Sequence, residues 1–369
     1  MADVTTGARA SFEPAWASPP GDTLAAMLEE RGMTQTELAE RLGVSLKHVN
    51  RVVKGAASLS AEMALGLEKV FGASASFWMT REAHFQADRA RQAERVELAE
   101  ALDWARRFPV ADLRRRPFFP RSAKGSELVE ALLRFFGIAH PSQWKDPSVA
   151  YRKSQVSQSD PYALSTWLRE GELEAGAVRC AAYDEERFVQ VLQQVRALTR
   201  LEPEEWWPRL QRECAAAGVA VVVIDTYRGA KVNGATRWLS AEKALIQLSL
   251  RYSWEDIFWF TFFHEAGHVI LHRKKDLFVE TRKRDPELNA EEEALEAEAD
   301  RFAARTLIPP PNDRRLQTIE ISEVETFADL LGIAPAIVVG RLQHERLLAY
   351  NRGNDFRRRL GFAASAEDG

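Results

Sequence analysis

Through the first quarter of the chain, apolar residues recur at intervals of three and four, in short runs that each stop at a glycine. Residues 22–31, 34–42, 45–54 and 60–71 end at Gly32, Gly43, Gly55 and Gly72. A glycine just past a helix takes the left-handed conformation without steric cost, so four short helices are predicted, behind a proline-bearing arm over residues 1–18. Thr34 followed by Glu37 is a capping-box pattern that marks the start of the second helix, and Ser45 can cap the third. Helical spacing continues in a charged stretch over 81–108, which Pro109, Pro117 and Pro120 interrupt, and returns over 126–136, 162–169 and 187–198. The pattern changes after Gly218. Val219, Val221, Val222, Val223 and Ile224 form a β-branched run suited to a buried strand. Residues 232–239 follow as a second strand, and over 244–251 Ile246, Leu248 and Leu250 alternate with Gln247, Ser249 and Arg251 as in a half-buried strand. An aromatic-rich helix over 253–273 and an acidic one over 289–307 complete the pattern. The expected fold class is mainly α with a smaller α+β part.

Only Gly43 and Val44 separate the second and third helices, and so tight a joint is that of a helix-turn-helix. Leu38, Ala39, Leu42, Val44, Val49 and Val53 are spaced to pack inward. The helix after the turn would then enter the major groove, and no acidic residue occurs from Arg41 through Ala61. Ser45, Lys47, Asn50, Arg51 and Lys54 are the candidate DNA-contacting residues of that helix, with Asn50 and Arg51 able to read base edges and the lysines suited to phosphate. Gln35, opening the preceding helix, is placed for a backbone phosphate. The residues of the C-terminal stretch 327–334 align without gaps to 38–45, with Val338 and Leu342 opposite Val49 and Val53. There the groove-facing residues are answered by Ala336, Val339 and Gly340, which points to packing rather than to a second DNA contact.

Composition narrows these readings. A chain of 369 residues, 46% hydrophobic and 28% charged, has room for two or three domains and is not disordered. Fifty basic against 54 acidic residues give a net charge of −4, which excludes a uniformly basic nucleic-acid coat but not one DNA-reading domain. Arg114, Arg115, Arg116 and Arg121 read as an exposed linker. Cys180 and Cys214 are the only cysteines, too few for a disulfide scaffold or a thiolate zinc finger. Residues 1–9 lack a signal-peptide pattern, and the aromatic run 257–263 is too short to cross a bilayer. A soluble cytoplasmic protein with no membrane partner is expected.

The second helix-borne motif carries chemistry. His264 and His268, four residues apart, lie one turn apart on a helix and can reach one metal ion. Glu265 beside them is placed as the general base of a zinc hydrolase. A third ligand is needed. The glycine turn and later histidine of a metzincin are missing, and His272, one turn beyond the pair, is assigned to polar packing or support of a ligand. On the acidic helix Glu296 and Asp300 share a face with Ala303 and Leu307. Glu296 is the candidate third ligand, with Glu298 as its alternative, and Asp300 would orient a ligand histidine through its other ring nitrogen. Ala299 and Ala303 are small where the two helices must approach. His344 is a further polar residue whose connection to this site the sequence leaves open.

Two resemblances join these readings. Residues 20–44, with Pro20-Gly21-Asp22-Thr23-Leu24 and Met33-Thr34-Gln35-Thr36-Glu37-Leu38-Ala39-Glu40-Arg41-Leu42-Gly43-Val44, continued through 64–72 and Phe77-Trp78, resemble the Cro/repressor-type (Xre) helix-turn-helix of HigA-like antitoxins. That resemblance implies operator DNA binding by a dimer. Phe260-Thr261-Phe262-Phe263-His264-Glu265-Ala266-Gly267-His268, then 296–304 and Leu307-Ile308-Pro309, resemble the gluzincin-type ImmA/IrrE metallopeptidases. This second likeness implies a cytosolic zinc endopeptidase cutting helix-turn-helix repressors, with residues 244–251 as the edge strand that pairs with extended substrate.

The expected organisation is therefore an arm (1–18), an all-α helix-turn-helix DNA-binding domain (19–90), a helical connector (91–205), a zinc peptidase core (206–310) and a helical C-terminal module (311–369). The expected function is a homodimeric DNA-binding regulator, antitoxin-type or stress-responsive, carrying a Zn2+-dependent endopeptidase that cuts a regulatory protein. The alternative is a non-catalytic antitoxin or repressor that binds operator DNA and a toxin partner, its zinc structural or regulatory.

Overall fold

The computed structural model describes residues 18–145, 159–272, 278–280 and 290–361; the predicted arm, except Ser18, lies outside them. The chain divides into two units. The smaller one runs to Leu102 and takes in 124–129; the larger comprises 103–123 and the chain from 130 onward.

The smaller unit contains α1 (Pro20–Glu30), α2 (Gln35–Leu42), α3 (Leu46–Val53), α4 (Ala61–Phe71) and the long α5 (Ala75–Glu100). Its helix boundaries follow the predicted signals. The Thr34 hydroxyl accepts from the Glu37 amide at 3.2 Å while the Glu37 carboxylate accepts from the Thr34 amide at 2.8 Å, a closed capping box. Gly43 ends α2 at φ 67°, ψ 31°, a conformation that L-residues other than glycine rarely adopt. Leu24, Leu38, Val49, Ala64, Leu67 and Trp78 are fully buried and form the centre of the core. Leu42, Val44 and Val53 are half-buried and pack against this core, which also takes in Val52 of α3.

In the larger unit, two four-residue helices, α6 (Leu102–Ala105) and α7 (Val110–Leu113), lead to α8 (Ser126–Phe136), whose first turn falls in the smaller unit. Then follow α9 (Pro161–Ala177), α10 (Glu185–Leu198) and α11 (Pro203–Ala215). The strands are β1 (Val219–Val223), β2 (Gly234–Ser240), β3 (Lys243–Leu248) and β4 (Phe278–Glu280), in the order β1-β3-β2-β4. β3 runs parallel to β1 and antiparallel to β2, and β4 pairs antiparallel with Gly234, Ala235 and Thr236 of β2. This corrects the edge-strand expectation for 244–251: β3 is flanked on both sides, so its backbone groups are spent within the sheet and cannot pair with a substrate.

The helices read as a connector share a core with this sheet. Trp167 of α9 is fully buried and its indole N–H donates to the Ile224 carbonyl at 2.9 Å. Gln247 of β3 returns a 2.7 Å bond to the Trp167 carbonyl. The basic stretch is likewise tied down: Arg114 donates to the Ala123 carbonyl, Arg115 pairs with Asp112, and Arg116 with Glu170. On the other face of the sheet lie α12 (Glu255–Leu271) and α13 (Ala290–Leu307). They approach closely because Gly267 faces Ala299; a Cβ at Gly267 would stand 3.2 Å from the Ala299 Cα.

A short α14 (Asp313–Leu316) leads to α15 (Val324–Leu331) and α16 (Pro335–His344), which repeat the helix-turn-helix joint. Gly332 takes φ 66°, ψ 36°, nearly the angles of Gly43. Here the second helix is not presented to solvent. Ala336, Ile337, Val338, Val339 and Leu342 are buried, in one core with Phe258, Phe262 and Phe263 of α12 apart from Ala336. The chain then closes over the start of α12. Arg357 makes a two-bond pair with Asp256 (2.8 and 2.9 Å), Arg358 pairs with Glu255 at 2.8 Å, and Arg357 and Arg359 lie over the Trp254 ring.

Candidate functional site

Helix α12 carries His264, Glu265 and His268 into the middle of the larger unit, where each is almost wholly buried. Helix α13 crosses it and brings Glu296 to the same point. Ligand atoms of His264, His268 and Glu296 all lie within 4.8 Å of one another. The two imidazole Nε2 atoms are 3.0 Å apart, and the Glu296 carboxylate stands 3.3 Å from one and 3.5 Å from the other.

The outward ring nitrogens fix what faces inward. Nδ1 of His264 lies 2.9 Å from the Asp300 carboxylate, which can only accept, so His264 donates there and turns its Nε2 lone pair inward. Nδ1 of His268 lies 2.8 Å from Nδ1 of His272, whose Nε2 is 3.4 Å from Glu298. A Glu298–His272–His268 chain with donors pointing outward again leaves the His268 Nε2 as an acceptor. Burial, and next to it the neighbouring His264 and His272, hold the His268 imidazole well below its ordinary pKa, in the neutral state that ligation requires. Three buried acceptors that converge at these distances repel one another unless a cation lies between them. Two imidazoles and one carboxylate with no thiolate suit zinc in a hydrolytic site.

The Glu265 carboxylate, on the same helix, is held against the sheet. The Thr236 hydroxyl of β2 donates to its Oε2 at 2.6 Å and lies 3.0 Å from its carbonyl oxygen. Two residues earlier on the same face of β2, Gly234 leaves room for the carboxylate: a Cβ there would meet Oε1 at 2.7 Å. Sequence reasoning placed Gly234 and Thr236 in a strand but not at the site. Their two-residue spacing was the available signal, but it needed the knowledge that α12 packs on that face.

The remaining candidates are placed as follows. His272 supports His268 rather than joining the converging group, and Glu298 meets His272 instead of taking the position of Glu296. His344 is exposed and stacks on Phe260, whose ring centroid is 6.5 Å from that of His264. In the smaller unit, Ser45, Lys47, Arg51 and Lys54 are exposed, and Gln35 and Asn50 half-buried. Ser45 acts as the N-cap of α3, accepting from the His48 amide. Asn50 donates to Gln35 at 3.2 Å, which joins the first turn of α2 to α3, and Arg51 donates to the Ala56 carbonyl.

Comparison with known families matches residues 24–78 to the helix-turn-helix family and residues 251–342 to the IrrE N-terminal-like domain. Comparison with curated proteins gives no match. Among solved structures, an antidote protein of a plasmid maintenance system from Nostoc punctiforme is 25% identical, over 23% of this chain and 93% of that one, at a TM-score of 0.23. A HigA-family antidote protein from Coxiella burnetii is 27% identical over 23% and 92%, with a TM-score of 0.21. The Pseudomonas aeruginosa antitoxin HigA, solved with the higBA promoter, is 32% identical over 21% and 87%, also at 0.21. Among the described residues no helix is long and apolar enough to cross a membrane.

Proposed function

We propose that this chain, which carries an Xre-like helix-turn-helix DNA-binding domain and an IrrE/ImmA-like metallopeptidase-family domain, is a transcriptional regulator with its own zinc-dependent endopeptidase. It would bind operator DNA as a homodimer and cut a regulatory protein, in an antitoxin-type or stress-responsive role in the cytoplasm. The observation that carries the catalytic part is the convergence of His264, His268 and Glu296 as three buried acceptors, with Glu265 beside them.

In this reading His264, His268 and Glu296 hold the metal, and Asp300 keeps His264 in its ligating tautomer. A bound zinc ion supplies a Lewis acid that polarises a peptide carbonyl and acidifies water. Glu265 takes the proton from the attacking water and hands it to the departing amine. The Thr236 bond holds the Glu265 carboxylate in one rotamer while it does so. On the DNA side, Lys47 and Lys54 contact phosphate, Asn50 and Arg51 reach base edges, and Gln35 steadies Asn50.

The test combines metal analysis with one variant. The purified chain is expected to hold one zinc ion. Glu265→Gln should keep zinc and operator binding yet abolish cleavage, read as the loss of new protein N-termini when variant cells are compared with wild type. A folded chain with no affinity for zinc refutes the metal assignment. Unchanged protein ends and unchanged regulation in the variant would leave a non-catalytic repressor or antitoxin. Alanine at Lys47, Asn50 and Arg51 should weaken operator binding, and undiminished binding at physiological salt would overturn the choice of α3 as the reading helix.

A further inference from the structure

A second concavity lies in the larger unit, between residues 117–120, the end of α8 and the end of α9, outside the residues matched to either family. Its volume of about 740 Å³ falls in the range of small-molecule sites, roughly 300–1,000 Å³. The Phe118 and Phe135 rings lie parallel within 4° at 5.7 Å. Phe118 is 45% exposed and Leu173 43% exposed, although large apolar side chains gathered at a concavity are normally covered.

The polar groups of the walls have one predominant sign. Glu170 and Glu174 stand one helical turn apart on α9, while Arg134, the one basic lining residue, is paired with Glu130. Glu170 is buried and held by Arg116 and Tyr227. Glu174 is exposed and makes no ion pair among the described residues. Burial, and after it the charge of Glu174, raises the Glu170 carboxyl against the lowering by Tyr227 and Arg116, so the charge left for a cation at this wall is that of Glu174. Aromatic faces next to acidic groups recognise a cationic nitrogen on an apolar body, through cation–π attraction and charge.

We propose that this cavity is a binding site for a small organic cation, a flat apolar body bearing one ammonium or guanidinium group, and that it gives the regulator an effector site separate from its metal centre.

The probe is 2-(1-naphthyl)ethylammonium, titrated into the full chain by calorimetry, with 1-naphthaleneethanol and 1-naphthaleneacetate as neutral and anionic counterparts. One saturable site per chain is expected for the ammonium, at least tenfold weaker binding for the alcohol, and none for the carboxylate. Glu174→Gln should weaken ammonium binding about tenfold. Phe118→Ser should abolish it while the circular dichroism stays at its wild-type form and the melting temperature shifts little, since Phe118 is 45% exposed and outside the buried core. No saturable binding at millimolar ammonium, equal or tighter binding of the carboxylate, or binding that survives Phe118→Ser would each overturn the proposal.

Discussion

At Gly234 a single methyl group decides whether the Glu265 carboxylate has a place. The Cβ of any larger residue would meet Glu265 Oε1 and the Thr261 methyl, both at 2.7 Å, and neither can retreat because both residues are buried between helix and sheet. Under the proposed function, Gly234→Ala is therefore expected to displace Glu265 and abolish the proposed cleavage while zinc still binds, as judged by metal content and cleavage assay side by side. A fully active Gly234→Ala enzyme would show that the carboxylate has more freedom than this packing allows. A second residue-scale effect concerns Glu170. Burial raises its carboxyl pKa by more than the Tyr227 bond and Arg116 lower it, so the folded chain holds that proton more tightly than the unfolded one. The group then costs stability as pH rises from the ordinary carboxylate range through the folded-state value, and contributes no slope outside that window. Glu170→Gln removes this slope. The stability of wild type relative to the variant should fall with rising pH across the window, by urea denaturation at stepped pH; parallel curves would show that Glu170 does not titrate this way.

Among the elements, those with local signals were legible and those defined by partners were not. The capping box and Gly43 specify α2 from within ten residues, and Thr34→Ala should cost about 1 kcal/mol in the denaturation of the smaller unit. The His264–His268 spacing is likewise a property of one helix. Glu296 could be chosen over Glu298 by its helix face, and the two fall at different points of the site, one at the converging nitrogens and one at His272. The order of the strands left no such trace. The stretch 244–251 alternates like an edge strand, yet Gln247 in β3 and Ser249 just after it are buried and donate to the Trp167 and Val232 carbonyls. Polar alternation reports hydrogen-bonding groups, and here their partners are a helix and a neighbouring loop rather than solvent. The closing segment was silent for a similar reason: Arg357, Arg358 and Arg359 meet Asp256, Glu255 and the Trp254 ring only in the fold. Arg357→Ala would take from the buried Asp256 carboxylate its two-bond partner, and should destabilise the larger unit by roughly 3–5 kcal/mol in chemical denaturation. A loss below 1 kcal/mol would mean that Asp256 finds water or another donor.

For the whole molecule, a net charge of −4 is compatible with DNA binding because counterion release depends on the charges at the phosphates, not on the sum over the chain. Lys47→Ala should therefore lower the salt slope of operator binding by about one, measured as affinity against salt concentration; an unchanged slope would place Lys47 away from phosphate. The repeated helix-turn-helix makes the same separation between pattern and use. Its apolar skeleton and glycine joint are written in the sequence twice, and both copies fold to nearly the same turn. What each copy does depends on what lies against its second helix: solvent beside α3, the helix of His264 and His268 beside α16. By itself the sequence determined the two motif-bearing segments, the helix caps and the identity of the acceptor groups, because periodicity, capping and ligand spacing act within a few turns of chain. Tertiary structure alone decided that Gly234 and Thr236 hold Glu265, that β3 is interior, and that three terminal arginines close over α12. Those outcomes rest on contacts between residues far apart in the chain, and they are set by burial and charge pairing once the core has formed.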